Sequence, residues 1–121
     1  MCGEWHKYSE TMIDLAGKRV FVSGAGAGMG AAVALLSARA GAHVLATDKS
    51  NVGLLPLSEA GCTVAILDVT DQDAVTRFFK SQQPFDGIVN MAGWVHHGRL
   101  TDLSDEDWQG SFKINVDSMY Y

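Results

Sequence analysis

No stretch of the 121 residues approaches the roughly 18 consecutive apolar residues that a membrane-spanning helix needs. The opening residues, Met1 to Glu10, lack the apolar segment of a secretory signal, so a soluble, cytoplasmic protein is expected. Basic residues are few: nine Lys and Arg stand against 14 Asp and Glu, for a net charge of -5. Without a Lys/Arg cluster there is no face to neutralise a phosphate backbone, which argues against nucleic acid as a partner. Cysteine is scarcer still. Cys2 and Cys62 lie far apart with no CxxC pairing and are expected to stay reduced. His96 and His97 are adjacent, so their side chains point apart, and no nearby Cys or His completes a metal-binding set. No metal is expected, and the pair is left either to a loop lining a pocket or to the surface. Solenoid repeats and low-complexity linkers are also missing.

What is present reads as one domain. A chain of this length can bury about two-thirds of its unfolded surface, and a composition 47% hydrophobic and 19% charged is that of a globular protein. Residues 1–16 look like a poorly ordered leader, although Met12, Ile13 and Leu15 could dock on the domain edge. From residue 17 onward strands and helices alternate. Arg19 to Ser23, Ala42 to Thr47, Thr63 to Leu67 and Phe85 to Asn90 read as strands, the first continuously apolar as in a strand covered on both faces, the third of buried type, and the fourth with Gly87 inside it. Between them come a helix ending at Ala40 and capped by Gly41, and a short or broken one around Pro56. A third, capped by Thr70 or Asp71, carries Ala74, Val75, Phe78 and Phe79 at helical spacing. Ser104 caps a long last helix with Asp105, Glu106 and Asp107 at its positive end and Trp108, Phe112, Asn115 and Met119 along one face. This alternation predicts an α/β fold, a parallel sheet built from βαβ crossovers.

The stretch Ser23-Gly24-Ala25-Gly26-Ala27-Gly28-Met29-Gly30 joins the first strand to the first helix. A helix begins with unpaired backbone N–H groups and a positive dipole end, so a diphosphate can sit there if no side chain blocks it. Gly24, Gly28 and Gly30 remove those side chains, and Ala27 and Met29 complete the turn. Asp48 stands at the end of the next strand, where a carboxylate can accept both hydroxyls of an adenosine ribose and repel a 2′-phosphate. NAD is therefore expected rather than NADP; Lys49, beside Asp48, is the one residue that favours the phosphate. The bland reading is a Gly-rich turn that holds no ligand.

These residues resemble the short-chain dehydrogenases/reductases. The family's TGxxxGxG matches Ser23 to Gly30 with Ser for Thr, and its Asp-Val after the third strand matches Asp68-Val69. Its Asn-Asn-Ala-Gly matches Asn90-Met91-Ala92-Gly93 with Met for the second Asn, and its helix asparagine matches Asn115 before Val116. The resemblance runs from Gly17 to Tyr121. It implies a Rossmann-type doubly wound sheet of strand order 3-2-1-4 between helical layers, with residues 17–121 as an NAD-binding domain. It also implies adenine contact by Asp68 and Val69, cofactor contact by Asn90, Ala92 and Gly93, and a water in a proton relay anchored by Asn115. As a structural alternative, Asp68 caps a helix and Asn115 bonds neighbouring backbone.

Ala46-Thr47-Asp48, Gly93-Trp94-Val95-His96-His97-Gly98, Asp107-Trp108 and Asn115 to Tyr120 narrow the resemblance to cytosolic type 2 hydroxybutyrate dehydrogenases and related sugar-acid dehydrogenases. A small hydroxy or keto acid substrate and a homo-oligomer joined through the last helix are implied. The family's Tyr-x-x-x-Lys is nowhere in the sequence, because Tyr8 meets Met12 at that spacing and nothing follows Tyr120 and Tyr121. The chain is therefore expected to be an amino-terminal, cofactor-binding fragment that is inactive by itself. The competing expectation is a non-catalytic nucleotide-binding or interaction module ending naturally at Tyr121.

Overall fold

The computed structural model describes residues 13–121; most of the expected leader, with Cys2 and Met12, lies outside the described residues. Four strands, β1 (Arg19–Ser23), β2 (His43–Asp48), β3 (Thr63–Ile66) and β4 (Gly87–Asn90), form one parallel sheet in the order 3-2-1-4. In register, Phe21 pairs with Leu45 on one side and Ile88 on the other, and Ser23 pairs with Asn90. Helix α1 (Gly28–Arg39) joins β1 to β2, α2 (Leu55–Glu59) precedes β3, and α3 (Gln72–Lys80) carries the chain across to β4 on the far side of β1. Asp71, not Thr70, caps α3 by accepting the Ala74 N–H at 2.9 Å. Pro56 falls in the first turn of α2, where a missing N–H costs nothing.

Period-two alternation divides the core between two faces of the sheet. Val20, Val22, Val44 and Ala46 point to one face and pack with Ala34, Leu54, Leu57 and Cys62 beneath α1 and α2. Phe21 and Leu45 point to the other and pack with Leu67 and Val75 beneath α3. Phe21 is 2% exposed, with the Phe79 ring edge-on at 4.9 Å and Phe85 at 5.7 Å. β1 and β2, covered on both faces, are continuously apolar as a buried parallel strand must be. β3, at one edge as the order 3-2-1-4 implies, departs from the expectation of a buried strand in that its Ile66 is 62% exposed; Ile88 of β4, at the other edge, is 55% exposed.

Ahead of β1, the Leu15 N–H donates to the Ala40 carbonyl at 2.8 Å, fastening this segment to the end of α1. Beyond β4, a short 3-10 turn (Leu100–Asp102) leads into α4 (Asp105–Phe112), which Ser104 caps through the Asp107 N–H at 3.0 Å. The last helix is not uniform: Lys113–Asp117 widens into a π-helical segment before α5 (Ser118–Tyr120). The cause is local, because the Asn115 side chain donates to the Ser111 carbonyl at 2.9 Å and Ser118 Oγ donates to that of Ile114 at 2.7 Å. Carbonyls engaged by side chains loosen the four-residue ladder. No helix among the described residues is long and apolar enough to cross a membrane.

Replacing Phe21 by Ala removes a ring from the centre of one core and is expected to destabilise the protein by about 3–5 kcal/mol. Ile66→Ala at the exposed edge should stay within about 0.5 kcal/mol. Urea denaturation followed by circular dichroism compares the two, and equal losses would contradict the two-faced core.

Candidate cofactor-binding site

The glycine turn is built by close approach. Gly24 has a φ of +61°, and a Cβ on it would lie 2.4 Å from the Ala92 backbone nitrogen. The ends of β1 and β4 thus touch. A Cβ on Gly30 would fall on the Gly24 carbonyl, so α1 can start directly against β1 only without that side chain. Ser23, 1% exposed, supports the junction: its Oγ accepts from the Met91 and Ala92 N–H groups at 3.3 and 3.5 Å. Ser therefore does the bridging work at the position where the sequence pattern has Thr.

At the amino end of α1 the Ala27 cap makes no side-chain hydrogen bond, and no acidic residue occupies the first turn. A Cβ on Gly28, at φ +54°, would meet nothing within 4 Å, so the space over these backbone donors is open. Met29 is 75% exposed beside it. Uncapped donors, a positive dipole end and open space are what an anion requires. The residues here fit a dinucleotide diphosphate.

Asp48 closes the next corner. Its Oδ2 accepts from the Gly26 N–H at 3.0 Å and its Oδ1 from the Ser50 N–H at 3.3 Å. A carboxylate oxygen accepts more than one bond, so capacity remains for hydroxyl donors. Asp68 accepts from the Thr70 hydroxyl at 2.7 Å and the Thr70 N–H at 2.9 Å, both on Oδ1. It forms an Asx turn rather than a helix cap, and Oδ2 accepts from no donor among the described residues. The Thr70 hydroxyl, then its N–H, then the nearby Lys49 and Lys113 charges hold the Asp68 carboxyl below its usual range. Gly24, Asp48, Asp68, Val69 and Ala92 come together with Lys49, Leu67 and Ile114 around one small cleft of about 40 Å³. Asn90 and Val69 also line a larger, mostly apolar groove of about 260 Å³ between α3, the sheet and the last helix.

Asn115 reaches back to the loop after β4. Its Nδ2 donates to the Trp94 carbonyl at 2.6 Å and to Ser111, while its Oδ1 accepts from the Trp94 N–H at 3.2 Å. A Cβ on Gly93 would lie 2.8 Å from that Oδ1. The side chain pins the loop root to the widened helix, the bonding to neighbouring backbone expected as the structural alternative. His96 turns towards Asp107 with Nδ1 3.6 Å from Oδ2, whereas Nε2 is buried without a hydrogen-bond partner among the described residues. No group of three His, Cys, Asp or Glu among the described residues is placed to hold a metal ion. Cys62 is a free thiol whose pKa burial pushes up, which makes it less reactive.

Sequence reasoning missed Leu67, Ile114 and the packing role of Gly26. Leu67 adjoins Asp68 and was legible as the end of an apolar run. Ile114 enters only through the packing of the last helix against the sheet end, which no local pattern fixes.

Removing the Thr70 hydroxyl tests the Asp68 geometry. Because the folded pKa is lowered, the stabilisation is present above the ordinary value of 3.8 and is lost as pH falls through the folded one. In Thr70→Val, carbon-detected NMR should find the Asp68 carboxyl titrating closer to 3.8. The stability difference from the parent should fade below that pH; a difference that grows on acidification would exclude the bond.

A family model described as enoyl-(acyl carrier protein) reductase matches residues 24–121. The 2-keto-3-deoxy-L-fuconate dehydrogenase of Xanthomonas campestris pv. campestris is 47% identical over 109 residues, covering 88% of this chain and 36% of that protein. Dehydrogenase/reductase SDR family member 6 of Xenopus laevis is 38% identical over 108 residues, covering 88% of this chain and 44% of that protein. The crystal structure of a short-chain dehydrogenase/reductase from Burkholderia xenovorans superposes with a TM-score of 0.79 at 30% identity, over 88% of this chain and 48% of that one. The chain thus spans less than half the length of each of these proteins. A matched family model over most of the chain, the 3-2-1-4 sheet and the glycine turn at its crevice agree: the chain belongs to the short-chain dehydrogenase/reductase family of oxidoreductases.

Proposed function

We propose that these residues form the cofactor-binding part of an oxidoreductase that moves a hydride between NAD(H) and a small hydroxy or keto acid. The observation that carries the cofactor is the pairing of an open, uncapped α1 amino end with the Asp48 carboxylate at the end of β2. In this reading the first turn of α1 holds the diphosphate, Asp48 accepts from the adenosine ribose hydroxyls, and Asp68 Oδ2 accepts from the adenine amino group. Val69 lies against the adenine, and Asn90, Ala92 and Gly93 flank the nicotinamide end. When bound, the nicotinamide supplies the hydride chemistry. The chain's own residues hold it and shape the crevice; the sequence contains no Tyr-x-x-x-Lys to shuttle the proton, so the 121 residues by themselves are expected to bind without turnover. A sugar-acid substrate is favoured by the 47% identity to a protein named for 2-keto-3-deoxy-L-fuconate.

A preference for NAD follows from charge. The Asp48 carboxylate opposes a 2′-phosphate, with Lys49 alone beside it to compensate. One similar structure, that of an NAD(P)-dependent gluconate 5-dehydrogenase from Beutenbergia cavernae at 29% identity and TM-score 0.76, holds NADP at low occupancy. A carboxylate at this place is the feature to test on this chain. The last helix leaves Trp108, Phe112 and Met119 exposed by 51%, 45% and 58%, a face suited to pairing with a second copy.

Calorimetric titration is expected to show NADH binding that weakens more than about tenfold in Asp48→Ala, a loss matching the two charge-assisted bonds removed. NADPH should bind the variant no worse than it binds the parent. Unchanged NADH affinity in the variant would refute the ribose assignment. For the oligomer, Trp108→Glu should shift sedimentation to the monomer, and a monomeric parent would refute the pairing.

A further inference from the structure

We propose that Gly53, in the loop between β2 and α2, is a positioning residue that presses the glycine turn onto Asp48 and so sets the geometry of the ribose-binding carboxylate. This rests on the cofactor reading above and extends it to a residue that reaches the site only through the back of the glycine turn, at Gly26.

Gly26 is squeezed from two sides. On one, a Cβ would lie 2.9 Å from both Cγ and Oδ2 of Asp48; on the other, a Cβ on Gly53 would fall on the Gly26 carbonyl and 2.7 Å from its Cα. Neither Gly26 nor Gly53 has a positive φ, so backbone conformation does not call for glycine at either place. Space does. Asp48, Gly26 and Gly53 form a stack in which no layer has room for a side chain from the middle residue or the last.

Gly53 cannot retreat, because its loop is tied at both ends. The Ser50 N–H donates to Asp48 Oδ1, the Val52 N–H to Ser50 Oγ at 3.4 Å, and the Leu54 N–H to the Asn51 carbonyl at 3.0 Å. Leu54 and Leu57 are then locked in the core at 2% and 1% exposure. A side chain at position 53 must therefore displace Gly26, and the group carried on Gly26 is the N–H that holds Asp48 Oδ2. A carboxylate released from that bond keeps only the longer one from the Ser50 N–H, at 3.3 Å, and loses its fixed aim.

A double-mutant cycle read by NADH titration tests this. Gly53→Ala is expected to weaken NADH binding about fivefold or more with Asp48 present and to change nothing in an Asp48→Ala background, the signature of two residues acting through one interaction. In the cofactor-free protein Gly53→Ala should also speed hydrogen exchange of the Gly26 amide while leaving that of Val22 unchanged, which a general loss of stability would not do. Equal weakening in both backgrounds, or none with Asp48 present, overturns the proposal and leaves the ribose reading standing. If Asp48→Ala alone has no effect, the ribose reading fails and takes this one with it. Should Gly53→Ala not melt cooperatively, Asn51→Gly takes its place: slackening the tether without touching the core, it should weaken NADH binding about twofold through Asp48 only, and equal behaviour in both backgrounds again overturns the proposal.

Discussion

The Gly24 carbonyl lies where a Cβ on residue 30 would be, and this forced contact between the end of β1 and the first turn of α1 organises the cofactor end of the molecule. It brings the uncapped N–H groups of α1 to the carboxyl edge of the sheet with no side chain between them. The same turn is squeezed laterally. Gly24 meets Ala92 at the end of β4, Gly26 meets Asp48 at the end of β2, and Ser23 bonds the backbone of residues 91 and 92. Three strand ends converge on eight residues of chain. A Cβ at Gly24 would part β1 from the turn after β4, and one at Gly30 would part β1 from α1, before either obstructed any ligand, so folding and binding impose the same composition here.

The sheet makes that convergence rigid. β1 and β2 alternate strictly between two apolar clusters, so a shift of one residue in register would expose Val22 and Ala46 on the wrong face. Register fixes Asp48 opposite the glycine turn. Because α1 returns to β2 on one side of β1 while α3 crosses to β4 on the other, the chain reverses direction of travel at β1. A crevice opens at that point, outside the carboxyl ends of the strands, as in other open α/β sheets. The loops after β1, β2, β3 and β4 all empty into it, and each contributes one component: backbone donors, Asp48, Asp68 and the Ala92-Gly93 turn.

The components carried by local chemistry were legible in the sequence. An apolar strand breaking into glycines and then a helix, an acidic residue closing the next strand, and Ser104 before three acids each announce themselves within a few residues. The 3-2-1-4 order came from the family resemblance as much as from alternation, which fixes a parallel sheet but not which strand lies at its edge. β3 shows the limit: Thr63 to Leu67 has the composition of a buried strand, yet nothing in those residues says that one edge goes uncovered. The π segment was also hidden, since it depends on a side-chain bond from Asn115 to a carbonyl one turn back. The contact of Gly53 with Gly26 spans 27 residues with no periodic signal. Gly53 reads in the sequence as an ordinary loop glycine before Pro56, and only the fold reveals what it touches.

The ionisation of the crevice separates holding from reacting. A group that donates or takes a proton during turnover works best when its pKa lies near the ambient pH, which for a carboxyl means a large upward displacement by burial or a like charge. Asp68 is displaced the other way, by donors on Thr70 and by the lysine charges, and it stays ionised throughout the neutral range. It is built as a fixed acceptor. Asp48 is supplied with two backbone donors, which fix its direction. Asn115, the residue of the last helix most open to a catalytic reading, bonds Trp94 and Ser111. Among the described residues, the carboxylates at the crevice are thus placed as acceptors that orient, and a proton transfer accompanying hydride movement would call on a group displaced in the opposite sense.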